Sequence, residues 1–127
     1  MTFQRVEVYR NLHKGCFSVR ALSGENKGRV IDHVHSITLT DATFVVQPAG
    51  RDRVLREGRK NVHAFVRGII TTEPFERGLP VRYDPYLNDA FVVTRPAGPM
   101  RSDEIIRNAK QVLMSFEDGH SKILATI

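Results

Sequence analysis

A chain of 127 residues with 41% apolar content has the size of one domain and enough apolar side chain for a core, which excludes wholesale disorder. Its 19 Lys and Arg against 14 Asp and Glu give a formal charge of +5, so partners are expected among anions: nucleic acid, nucleotides or acidic membrane surfaces. A lone cysteine, Cys16, excludes an internal disulfide framework, and no run nears the ~18 apolar residues of a membrane span, so a cytosolic protein is expected.

Residues 5–9 alternate, with Val6 and Val8 on one face and Arg5, Glu7 and Tyr9 on the other, which predicts a strand. A polar turn over 11–15 leads to a second strand, 16–22, with Phe17 and Val19 toward the core. Cys16 there is a small apolar residue rather than a nucleophile. The Gly- and Asn-rich loop 23–28 returns the chain into 29–35, where Val30 and Val34 oppose Ile31, His33 and His35. Asp41 and Ala42 punctuate before an apolar strand over 43–47. These four strands are expected to form an antiparallel meander.

Residues 49–68 are the stretch around which the rest is organised. Arg51, Arg53, Arg56, Arg59 and Lys60 fall within ten residues. A short helix is expected here, with Asp52 near its start, Val54 and Leu55 as its apolar stripe and Gly58 as its end. From Asn61 the period becomes two, with Val62, Ala64 and Val66 opposing His63, Phe65 and Arg67. A cationic turn feeding a strand holds a phosphate well. It is also an ordinary solvated face.

Residues 71–89 carry Pro74, Gly78, Pro80 and Pro85 and are expected as a long loop, ordered by the aromatics Phe75, Tyr83, Tyr86 and Phe91 in or just beyond it. A strand over 90–94 ends at the Arg-Pro-Ala-Gly-Pro of 95–99. Ser102 has the character of an N-cap, with Asp103 and Glu104 in the first turn, Lys110 at the far end, and Ile105, Ile106 and Ala109 as a buried stripe. Asp103 and Arg107 are spaced as an i,i+4 pair. A hairpin of strands 111–116 and 121–127 about Asp118-Gly119 closes the chain. The expected class is α+β: one domain over 1–127, an antiparallel β-sheet core with one short mid-chain helix and one short C-terminal helix. It divides into a sheet core over 1–70, an aromatic and Pro-rich loop over 71–100, and a C-terminal helix and hairpin over 101–127.

No catalytic motif emerges. His33 and His35 share a strand face, with His63 or Asp52 as further donors, but no HExxH or CxxC spacing accompanies them, so no metal is expected. There is no Gly-x-Ser-x-Gly elbow, no Walker loop and no GxGxxG. The expectation is not an enzyme. What stands out is arginine (14 Arg against 5 Lys) with Asn and aromatic rings: a ring stacks a base, a guanidinium pairs with phosphate, an amide meets a base edge or ribose hydroxyl. Tyr83, Tyr86 and Phe91 either do this or pack their loop onto the sheet. Asn61 and Asn88 suit turns or caps. Asp52, Glu57, Asp84 and Asp89 interrupt the positive runs, which favours discrete pockets over a broad nucleic-acid stripe.

Three segments carry a resemblance: residues 9–19 (Tyr-Arg-Asn-Leu-His-Lys-Gly-Cys-Phe-Ser-Val), residues 49–68, and residues 81–92 from Val-Arg-Tyr-Asp-Pro-Tyr to Phe91-Val92. They resemble a group of small phage proteins, and through them the chain is similar to the first Thoeris anti-defence family, phage sponges that capture immune signalling nucleotides. The resemblance implies a protein without cofactor or enzymatic activity, acting in the cytoplasm of an infected bacterial host. Its ligand would be a cyclic nucleotide: a cyclic ADP-ribose isomer made by TIR-domain enzymes, with cyclic oligonucleotides at separate sites in some members. It also implies a homo-oligomer, a dimer or a hexamer built from dimers, with pockets completed by C-terminal segments. The family's pocket uses a phenylalanine, an asparagine and two arginines. Phe91, Asn88, Arg101 and Arg107 are the matching positions, with Tyr83 and Tyr86 beside them, although Arg101 and Arg107 stand six apart rather than one helical turn. Arg56, Arg59, Asn61 and His63 are the positions for a second, oligomer-dependent phosphate site. The alternative is a small basic phage protein that binds nucleic acid.

Overall fold

The computed structural model describes residues 4–97 and 100–127. Its strands are β1 (Arg5–Asn11), β2 (Cys16–Ala21), β3 (Val30–Val34), β4 (Ser36–Val46), β5 (Ala64–Ile70), β6 (Leu79–Arg82), β7 (Val92–Ala97), β8 (Met100–Ile105), β9 (Asn108–Glu117) and β10 (His120–Thr126), with one helix, α1 (Pro48–Glu57). They form one antiparallel sheet in the order β3-β2-β1-β5-β4-β9-β10-β6-β7-β8. Period-two patterning builds the inner face: Val6 and Val8 of β1, Phe17 and Val19 of β2, Val112 and Met114 of β9 are all buried. The sheet coils until its two halves meet. The Phe17 ring lies 5.0 Å from that of Phe116 on β9, and Arg10 donates to Ser121 Oγ of β10 at 3.0 Å. One core therefore fills the fold, and each buried Val or Leu in it contributes about 1.5–3 kcal/mol.

β4 shows how the coil is made. Ile37 and Leu39 face the core before Asp41, and Ala42 and Phe44 after it. The extra residue sits at Asp41, with φ 51°, where the register against β5 slips. This bulge turns the strand and returns its apolar residues to the inside. It lies where sequence punctuation marks a break at Asp41-Ala42, but the strand runs through it. The expected four-strand meander is three strands, because β4 pairs with β5 and β9 and not with β3. β6 arises inside the expected long loop; Pro80 obscures it, yet Val81 is buried between β10 and β7.

The expected C-terminal helix is absent, and with it the α+β class: the protein is an antiparallel β-sheet fold carrying one short helix. Residues 100–105 form β8, hairpin partner of β7. The charges that resemble a capped helix are satisfied across strands instead. Asp103 pairs with Arg82 and accepts the Thr94 hydroxyl at 2.9 Å, and Glu104 takes Arg95 Nε at 2.8 Å. Ile105 is exposed while Ile106 is buried, an alternation of two. A helix of little more than two turns has too little hydrogen bonding to repay nucleation, so these cross-strand pairs prevail. Asp103 and Arg107 do not pair.

Helix α1 forms where expected. Pro48 occupies its first turn, and Gly58 caps it in the left-handed region at φ 67°, its N–H bonding Val54 O. Asp52 falls beyond the first turn, so no acid meets the N-terminal dipole. Of its apolar stripe only Val54 is buried. The helix lies close on β5's approach, since a Cβ on Gly50 would stand 2.5 Å from His63 Cβ.

Candidate functional site

The residues singled out from the sequence go to three places. The first is the aromatic loop, fastened under α1. Arg51 Nε donates to the carbonyls of Pro85 at 3.0 Å and Asn88 at 3.1 Å. The Asp84 carboxylate accepts Tyr86 N–H in a local turn. Tyr83 stacks on Phe91 at 5.2 Å, and Phe91 meets Phe44 at 5.0 Å inside the core. His63 is buried beside them. The Asn61 carbonyl only accepts, so His63 Nδ1 carries its proton and donates at 2.7 Å, leaving Nε2 to accept the Tyr83 hydroxyl at 2.6 Å. Burial pushes the Tyr83 phenol above its ordinary range; Arg51 opposes this, and Asp84 and Asp89 add to it. Tyr83, Phe91 and His63 are thus engaged in packing, and Asn88 contributes its carbonyl. Tyr86 and Leu87 stand exposed at the loop tip.

The second place is the end of α1. Arg56 lies in the last helical turn, where a cation complements the dipole, and Arg59 and Asn61 follow it in exposed coil. His63, expected beside them at a phosphate, has both ring nitrogens committed elsewhere.

The third is a cleft of about 460 Å³ between the β7–β8 hairpin and the start of β9. Val93, Ile105, Ile106 and Ile127 give it an apolar lining, and Arg95, Glu104, Arg107 and Asn108 its polar groups. Arg95 is tied to Glu104. Arg107 is exposed and, among the described residues, has no ion-pair partner. Phe91 stands behind this cleft: its carbonyl accepts Ile106 N–H at 3.0 Å, and the Arg107 carbonyl accepts Phe44 N–H at 2.8 Å. The sheet thus brings Phe91 and Arg107 close while holding Asn88, Tyr83 and Tyr86 on the helix side. Arg101 is on β8, paired with Pro96, and its side chain lies outside the described residues.

Sequence reasoning missed a fourth group, on the outer face of β2, β1 and β5. Glu7 is only 3% exposed, and each of its oxygens takes a different guanidinium: Oε1 from Arg20 Nη1 at 3.2 Å, Oε2 from Arg67 Nε at 2.8 Å. Arg20 also lies over the rings of Tyr9 and Phe65, at 5.4 and 5.9 Å from their centroids. Next to it, Asn11 Nδ2 donates to Ser18 Oγ at 3.1 Å, and Ser18 contacts His33 Nδ1 at 3.1 Å. The Lys14 ammonium donates to His33 Nε2 at 3.3 Å, so Nδ1 is protonated and donates to Ser18. An imidazole that gives a proton to a serine does not remove one, and Ser18 is buried: the pair is not a nucleophile and base. Among the described residues no three metal-ligating side chains gather. The Val-Glu-Val of 6–8 signals a carboxylate between two core residues, but the β1–β5 pairing, 60 residues apart, is invisible in the sequence.

Comparison with known proteins relates the chain to a phage protein. The family described as Mycobacterium phage L5 gene 82 protein matches residues 1–115. The gene 82 protein of Mycobacterium phage L5 is 46% identical over 103 residues, which cover 75% of this chain and 82% of that protein. No solved structure matches.

Proposed function

The chain belongs to the family of the Mycobacterium phage L5 gene 82 protein, and from that premise we propose that this phage protein captures a small cyclic nucleotide immune signal of its host and leaves it intact. The observation that carries the reading is Arg107, a cation without an acidic partner among the described residues, at a half-apolar cleft of nucleotide size. Ile105 and Ile127, both about half exposed, suit a base, the guanidinium fork suits a phosphate, and the Asn108 amide suits a ribose hydroxyl. The cleft is open in one chain and lies beside β8, one of the two edge strands of the sheet. A second copy laid along β8 closes it, in line with the homo-oligomer that the resemblance to anti-defence sponges implies.

Capture then works by mass action. Nanomolar affinity corresponds to about −12 kcal/mol, of which one arginine fork on a phosphate supplies ~1.5–3 kcal/mol. Equilibrium dialysis against cyclic ADP-ribose and a cyclic dinucleotide, followed by heat denaturation and chromatography, tests this. The expected result is depletion of one signal, its recovery unchanged, and at least tenfold weaker capture by Arg107→Ala. No depletion, or recovery of a cleaved product, overturns the reading.

A further inference from the structure

The Glu7 cluster belongs to no site described so far, and its neighbours extend it. Register places Arg20 opposite Glu7, Glu7 opposite Arg67, Arg67 opposite Thr43 and Thr43 opposite Asn108. These residues form one row across β2, β1, β5, β4 and β9, and Thr43 Oγ1 donates to Asn108 Oδ1 at 3.3 Å within it. Four strand spacings make the row ~19 Å long. We propose that this row is a binding site for the phosphodiester backbone of a short single-stranded nucleic acid, touching the Arg107 cleft only at Asn108, which lines both.

The chemistry is that of two guanidinium groups preorganised by a buried anion. Glu7 keeps Arg20 and Arg67 from repelling one another, and its two oxygens fix one nitrogen of each. Arg67 keeps both terminal nitrogens and Arg20 keeps Nε and Nη2, with no acceptor for them among the described residues. The side chains remain 33% and 41% exposed, so these donors face solvent. The Tyr9 and Phe65 rings hold Arg20 in place. Two cations stand against one carboxylate, enough for a phosphate or so but not for the charge of a duplex. Tyr9, half-buried beside the row, offers a ring for a base, and Thr43 and Asn108 extend the row as neutral hydrogen-bonding groups.

The test is fluorescence anisotropy with a labelled oligothymidylate of about eight nucleotides, within the usual site sizes for sheet-based binders. Glu7→Gln with Arg20→Gln and Arg67→Gln removes the buried charge together with its partners, and the melting temperature reports whether the fold survives. At least tenfold weaker binding is expected, with a shallower dependence on salt, because fewer cations meet phosphate. Arg20→Lys with Arg67→Lys keeps the charges, removes the forks, and is expected to weaken binding at least threefold; it decides the matter if the triple variant melts early. Unchanged oligonucleotide binding in these variants overturns the proposal. So does wild-type affinity no greater for the oligonucleotide than for thymidine monophosphate. Arg107→Ala is expected to bind the oligonucleotide as wild type does, which separates this site from the cleft: either reading fails without the other.

Discussion

Arginine fastens two regions of this molecule in different ways. Under α1, Arg51 spends its Nε on two loop carbonyls, Tyr83 spends its hydroxyl on His63, and Phe91 is buried beneath them. On the outer face, Arg20 and Arg67 each give one nitrogen to Glu7 and keep the rest for solvent. The residue types are the same. What separates them is the partner: under α1 one guanidinium meets the neutral carbonyls of a loop, whereas on the outer face two guanidinium groups share one buried carboxylate.

Substitutions sharpen that contrast, beginning with the largest effect. Phe91→Ala is expected to cost about 3–5 kcal/mol in chemical denaturation, because it opens a cavity between Phe44 and Tyr83. Lost ligand capture in that variant therefore does not place Phe91 at the ligand. Arg51→Ala comes next, at about 1–3 kcal/mol, since it leaves the Pro85 and Asn88 carbonyls without their charged donor. Oligonucleotide affinity is expected to stay unchanged in both.

Tyr83→Phe strips the donor from His63 Nε2 and is expected to cost about 1–2 kcal/mol. It also carries a pH signature. Burial raises the folded-state pKa of Tyr83 above its unfolded value of about 10, so the folded state holds this proton more tightly. Stability from this group is full below about pH 10 and is lost as pH rises through the folded pKa. Denaturation midpoints across the alkaline range are expected to fall less steeply in Tyr83→Phe than in the wild type. Arg20→Gln ends the series: Arg20 is a third exposed although Glu7 is buried, and Arg67 still serves Glu7, so about 1 kcal/mol is expected. A cost equal to that of Arg51→Ala would erase the distinction between the two regions.

Much of the sheet was legible. Val6 and Val8, Phe17 and Val19, Gly58 as the end of α1 and the Asp118-Gly119 turn follow from period and from backbone preference, and both glycines adopt the positive φ that their places require. The failures have physical causes. Ser102, Asp103 and Glu104 carry the signature of a helix start, yet Arg82, Thr94 and Arg95 on neighbouring strands offered these side chains better partners. β6 hid behind Pro80 because a pattern of composition does not register a strand held from both sides.

The candidate residues divide along the same line. That Tyr83, Tyr86 and Phe91 form an ordered loop was readable from their density. That Phe91 turns inward while Tyr86 stays in water was not, because burial depends on which strands lie beneath.

By itself the amino-acid sequence determined which residues alternate, where the chain turns and that cations outnumber acids, because period, backbone preference and charge are local properties. Only the tertiary structure decided that Glu7, Arg20 and Arg67 meet, and that Arg107 borders a cleft while Arg51 ties the aromatic loop to α1. Those outcomes come from strand pairing between distant residues, and no local preference encodes which strand will be the neighbour.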